Sequence, residues 1–256
     1  MTVQIPSTRP TRAGRALTAA AALALAAALA IIWAGRLLLE RPVYVSELGA
    51  EEPTARWFKY ALLLIVFGGA IVAWRARGVR LRRRDAMFVR PAVLLAISSA
   101  CFFVASQEPC TSGCPIPFAD EIRWQDLVHT SSAVIAFGAA ALAMLAVACS
   151  DADRSLRRIS LGAAGSVAVI AATGGIFSLL RFRTDIGGLL EFVATSIGVL
   201  WLLWFGLRVQ AGSGRSRSIA ATVHAPAGPG RARRGRGRSA ETSPAPRRSG
   251  AARPPS

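Results

Sequence analysis

Six stretches of this chain are apolar almost without interruption, and short polar segments separate them. They run from Ala16 to about Ala34, Phe58 to Trp74, Pro91 to about Ser106, Asp126 to Cys149, Ile159 to Leu180 and Gly188 to Val209. Each approaches the ~20 residues that carry a helix across a bilayer, the third being the shortest. The pattern predicts an all-α fold, a polytopic membrane helix bundle with about six transmembrane helices. Arg9, Arg12 and Arg15 give the first run the look of a signal peptide. It is longer than such an apolar region and has no clean small-residue exit, so a retained helix is expected.

Composition supports this reading. The chain has 256 residues and is 53% hydrophobic, with a mean hydropathy of +0.42, too apolar for a soluble domain of this size. A net charge of +17 would suggest nucleic acid in a soluble protein. Here the arginines gather at the amino terminus, in Arg75–Arg84, in "DADRSLRR" and in the tail, with Lys59 the only lysine. The other connections hold Glu40, Glu47, Glu51 and Glu52, then Glu108, Asp120 and Glu121, then Asp185 and Glu191. Arginine-rich short loops stay inside, so both termini are expected in the cytoplasm and the protein in the plasma membrane. Arg181 and Arg183 break the pattern and are expected to snorkel or to pair with nearby acids.

Three regions follow: a basic amino terminus (1–15), a six-helix membrane domain (16–209) and an Arg/Pro/Gly-rich tail (210–256) too polar to order itself. The bilayer is the expected partner, with anionic lipid at Arg231–Arg238. No aromatic side chain accompanies those arginines for base stacking, so no nucleic acid is expected. Small residues that would allow close helix packing recur at Ser132, Ala136, Ala140 and Ala143, and at Gly162, Gly165 and Ser166. Thr173-Gly174-Gly175 invites a bend or a tight crossing. The middle of each run lacks acids and bases, which counts against an ion pump.

The polar side chains collect in "RPVYVSELGAEEP", "EPCTSGCPIP", "WQDLVHT" and "TDIGGLLE", all at one end of the expected bundle. Tyr44, Ser46, Glu47, Asp126, His129, Arg183 and Glu191 are the candidate ligand-binding residues. Glu47 stands out because its loop needs no glutamate to turn, Gly49 supplying the permissive backbone. Cys110 and Cys114 could form a disulfide, remain thiols or bind metal. With one histidine nearby the ligands are too few for zinc, and neither metal nor cofactor is expected. Asp126 and His129, three residues apart, share a helix face. That spacing suits a carboxylate orienting an imidazole base, and equally an ordinary hydrogen-bonded helix start. Glu191 is read as opening the sixth helix, capping it or pairing with Arg181 or Arg183.

These segments resemble the bacterial integral-membrane family known as domain of unknown function 998. The likeness rests on "YVSELGAEEP" before an aromatic-led helix, "PCTSGCPIP", "DLVHT" opening the fourth helix, and Gly188 with Glu191. It covers roughly Ala16 to Arg208 and implies a multi-helix membrane domain without an established activity. A fainter similarity, to membrane hydrolases of the alkaline ceramidase and progestin-receptor type, rests on Ser46, Asp126 and His129. The functional expectation is a non-enzymatic membrane protein binding a lipid headgroup, small molecule or partner at its outer rim. The alternatives are a lipid or envelope hydrolase, with His129 as base, Asp126 as orienter and Ser46 or Glu47 assisting, and a small transporter.

Overall fold

The computed structural model describes residues 12–79, 89–115, 122–180 and 182–223. Within them lie six helices and no β-strand: α1 Arg12–Leu38, α2 Ala55–Arg75, α3 Pro91–Gln107, α4 Trp124–Ala148, α5 Arg154–Leu179 and α6 Thr184–Val223. Five are long and apolar enough to cross a membrane, and α3 is a shorter apolar helix. Its 17 residues rise about 26 Å, close to a hydrocarbon core of ~30 Å.

Boundaries depart from the sequence reading where polar side chains cap or extend a helix. α5 begins at Arg154, five residues before the apolar run, because Asp153 Oδ1 accepts the Leu156 N–H at 2.9 Å. Arg157 Nε then donates to the Ala148 carbonyl at 2.9 Å, fastening the start of α5 to the end of α4. α6 continues past Val209 into the segment read as tail and is described as far as Val223. Arg181, residues 80–88 and residues 224–256, with the Arg231–Arg238 cluster, lie outside the described residues.

Consecutive helices pack side by side, α6 returns to α1, and α2 also touches α6. Two crossings need glycine. A Cβ on Gly68 would sit 2.7 Å from Leu25 Cγ, and one on Gly206 would sit 2.8 Å from Val72 Cγ2. Ala136 and Ala143 are fully buried in α4. Gly162, Gly165 and Ser166 instead face outward on α5, and a Cβ on either glycine would have no neighbour within 4 Å. They do not pack α5 against the bundle; Trp201 Nε1 donating to Ser160 Oγ at 2.9 Å joins α5 to α6 there. Gly174 makes a close crossing, its Cβ position 3.4 Å from Leu190 Cβ, while α5 stays helical through it.

Large apolar side chains such as Phe67, Val134 and Val169 are exposed on the outside, the surface a bilayer would solvate. Exposed Trp57, Tyr60 and Trp124 lie at one end of the bundle and Trp74 at the other, as interfacial aromatics do.

Candidate functional site

The α1–α2, α3–α4 and α5–α6 connections meet at one end of the bundle, the carboxylate end. Arg41 reaches two acids, with Nη1 3.0 Å from Glu47 Oε2 and Nη2 2.7 Å from Glu51 Oε1. Ser112 Oγ also donates to Glu51 Oε1, at 2.8 Å. Glu47 is buried within the 3₁₀ turn Ser46–Gly49. Burial raises its pKa above the ordinary carboxylate value, and the Arg41 guanidinium opposes this only in part. Burial likewise raises the Tyr44 pKa. The Tyr44 hydroxyl is buried close to Gly187, and the Ser178 side chain opposes the rise only in part.

The second connection is held from below by Asp126, which is completely buried. Its carboxylate accepts the Thr111 N–H at 2.6 Å, the Thr111 hydroxyl at 3.0 Å and the Arg123 N–H at 2.9 Å. That fixes both the loop and the first turn of α4. Cys110 and Cys114 are disulfide-bonded, and Cys110 Sγ lies 3.5 Å from the Ser46 carbonyl oxygen. One turn beyond Asp126, His129 Nδ1 lies 3.0 Å from the Ala105 carbonyl oxygen and 2.9 Å from that of Glu108. Carbonyl oxygens only accept, so Nδ1 carries the proton, and in a neutral ring the lone pair is on Nε2. Asp126 and His129 share a face, yet main-chain groups orient the imidazole, not the acid. A nitrogen of His129 and the two sulfurs lie within 4.8 Å of one another, but bonded sulfurs lack the thiolate charge that holds a metal.

Glu191 lies about two turns inside α6 rather than at its opening, since α6 begins at Thr184. It pairs with no arginine among the described residues. Instead its Oε2 accepts the Val45 N–H at 2.9 Å. Gly188 makes this contact possible: a Cβ there would stand 2.5 Å from the Val43 carbonyl oxygen, so only a bare backbone lets the loop lie against the helix. Arg183 pairs with Asp185 at 3.3 Å, both exposed, and stands apart from this cluster.

Beneath these groups is an internal cavity of about 80 Å³. Ser46, His129, Glu191 and Thr195 line its upper part; Ile65, Leu95, Phe102, Phe137, Met144, Val199 and Leu202 line the rest. Ser98 and Ser99 interrupt the apolar wall, and Ser99 Oγ donates to the Leu95 carbonyl at 2.9 Å. From Glu191 to Leu202 the lining extends about 16 Å along α6, so the space is long and narrow. Thr195, one turn below Glu191, is buried, and its hydroxyl has no hydrogen-bond partner.

Of the residues predicted from sequence, Ser46, His129 and Glu191 line this cavity, while Tyr44 and Glu47 lie next to it in the loop above. Asp126 holds the loop from outside it. Sequence reasoning missed Thr195, Thr111 and Arg41. Thr195 was detectable as a polar residue four positions after Glu191, hence on the same helix face.

An apolar exterior, antiparallel helices of membrane-crossing length and an internal cavity define a multi-pass helical membrane protein. The family model described as Protein of unknown function (DUF998) matches residues 18–208, and the chain belongs to that family. Comparison with curated proteins gives no match, and comparison with solved structures gives none.

Proposed function

We propose that this protein is a membrane-embedded binding protein that takes the polar head and the first few methylenes of a single-chain, lipid-like amphiphile into its internal cavity. The amphiphile's polar end sits among Ser46, His129, Glu191 and Thr195, and its first methylenes follow the apolar wall toward Leu202. The orientation that goes with this reading puts the arginine-rich ends in the cytoplasm and the carboxylate end across the plasma membrane. The observation that carries the reading is the polarity of the cavity: polar at one end, mainly apolar along the rest, with the Thr195 hydroxyl unpartnered. A buried hydroxyl without a partner costs roughly 1–3 kcal/mol, which a ligand head or bound water would relieve. Hydrolysis has less support, because Asp126 and the His129 Nδ1 are engaged by their own loop and helix ends.

Filling the cavity tests this. Gly198 lines it, and a Cβ at Gly198 would meet nothing within 4 Å, so the side chain of Gly198→Leu starts in open space. Full-length protein in lipid nanodiscs is expected to unfold at a higher temperature when dodecanol is added. Gly198→Leu is expected to lose that response while unfolding at least as high as the ligand-free wild type. An equal response in both proteins overturns the cavity as the binding site.

A further inference from the structure

The upper end of the cavity is rich in hydrogen-bond acceptors and poor in cations. Glu191 presents a carboxylate of which Oε2 accepts the Val45 N–H. His129 directs its proton at two carbonyl oxygens, which leaves Nε2 as an acceptor in the neutral ring. The unpartnered Thr195 hydroxyl and the Ser46 side chain can donate or accept. The acids around this end are Glu47, Glu51 and Glu191; of the arginines there, Arg41 is already shared between Glu47 and Glu51, Arg36 donates to the Leu39 carbonyl, and Arg56 and Arg123 are exposed. Arg183 is exposed and paired with Asp185, and Lys59 points outward. No unpaired cation among the described side chains lines the cavity.

Resting on the amphiphile reading above, we infer that the bound molecule has a hydrogen-bond-donating head, a hydroxyl or an ammonium, and that the site refuses an anionic head. A hydroxyl donates to Glu191 or to His129 Nε2 and accepts from Thr195, so each polar group at that end gains a partner. An ammonium donates to the same acceptors and adds charge attraction to Glu191. A carboxylate or phosphate head would sit beside the Glu191 acid in surroundings of low dielectric, with no Arg or Lys side chain in the cavity wall to meet it. It would also bring no further donor to Glu191 or to His129 Nε2.

The experiment compares dodecanol, dodecylamine and dodecanoate, identical in chain and different only in head. Each binds to the full-length protein in nanodiscs of uncharged phospholipid, and each affinity is referred to the probe's mole fraction in the bilayer. In the wild type, dodecanol or dodecylamine is expected to bind at least tenfold more tightly than dodecanoate. Thr195→Val, which keeps the volume and removes the hydroxyl, is expected to weaken dodecanol binding. Glu191→Gln is expected to weaken dodecylamine more than dodecanol. Which of the two donor heads binds better separates an alcohol-type from an amine-type ligand. Should Glu191→Gln fail to fold, having lost part of its hold on the α1–α2 loop, Thr195→Val still decides. Dodecanoate binding as tightly as both donor-headed probes overturns the inference while leaving amphiphile uptake intact. Dodecanol binding unchanged in Thr195→Val overturns it too. Failure of all three probes to bind overturns the amphiphile reading itself.

Discussion

Glu47 and Asp126 are both buried acids at the carboxylate end, and their surroundings treat them differently. Asp126 is surrounded by donors, two main-chain N–H groups and a hydroxyl. Glu47 has one half-exposed guanidinium, shared with Glu51, and burial outweighs it, so the Glu47 pKa is raised from 4.5. A group with a raised folded pKa binds its proton more tightly in the folded chain. The stability it contributes is then full below the unfolded pKa and is lost as pH rises through the folded one. Glu47→Gln does not titrate. Wild-type stability relative to Glu47→Gln is therefore expected to be greatest at acidic pH, to fall as pH rises from about 4.5, and then to level off. Thermal midpoints of both proteins across that range measure it, and a difference that grows with pH would contradict the burial argument. Both acids could be picked out of the sequence, Glu47 because its loop needs no glutamate to turn and Asp126 because it stands three residues before His129. Their partners could not: Thr111 is fifteen residues from Asp126, and only the folded loop brings them together.

At the scale of elements, two glycines of α6 have opposite physical reasons. Gly188 accommodates the Val43 carbonyl, which would lie 2.5 Å from a Cβ, whereas a Cβ on Gly198 opens onto the cavity with nothing within 4 Å. Gly188→Ala must push the α1–α2 loop away and weaken the Val45 N–H bond to Glu191. The expected cost is about 1–3 kcal/mol, as for overpacking. Gly198→Ala gains about 0.5–1 kcal/mol of helix propensity without a clash. The two variants should move the thermal midpoint in opposite directions; the same sign for both would mean the loop does not press on α6. The sequence shows these glycines without their difference. It also suggests a packing stripe at Gly162, Gly165 and Ser166 that turns out to face outward. Small residues permit close approach, but which neighbour approaches depends on how the whole ring of helices closes. Helix number and order could be read from run lengths, because membrane thickness fixes them. Exact ends could not, because caps such as Asp153 act through local geometry.

For the molecule as a whole, the cavity draws its wall from all six helices and the first loop, so no local pattern announces it. Orientation is approached differently, from the distribution of arginines among the connections. The proposed arrangement makes the cavity's polar end open away from the cytoplasm, under the Cys110–Cys114 disulfide, a bond favoured by an oxidising compartment. Fusions to alkaline phosphatase, which is active only outside the cytoplasm, decide this. Fused after Pro115 the enzyme is expected to be active, and fused after Ser256 inactive, with a fluorescent-protein fusion at Ser256 bright. Replacing Arg82, Arg83 and Arg84 by asparagine removes charge from the most basic connection between helices, and should raise the fraction of active enzyme at Ser256. The reverse result, phosphatase active at Ser256 and silent at Pro115, would turn the bundle over. The donor-seeking groups around Glu191 would then meet amphiphiles of the inner leaflet, and the disulfide would face a reducing cytosol. The binding chemistry would survive that inversion, since it depends on cavity polarity alone, but the pool of molecules reaching it would change.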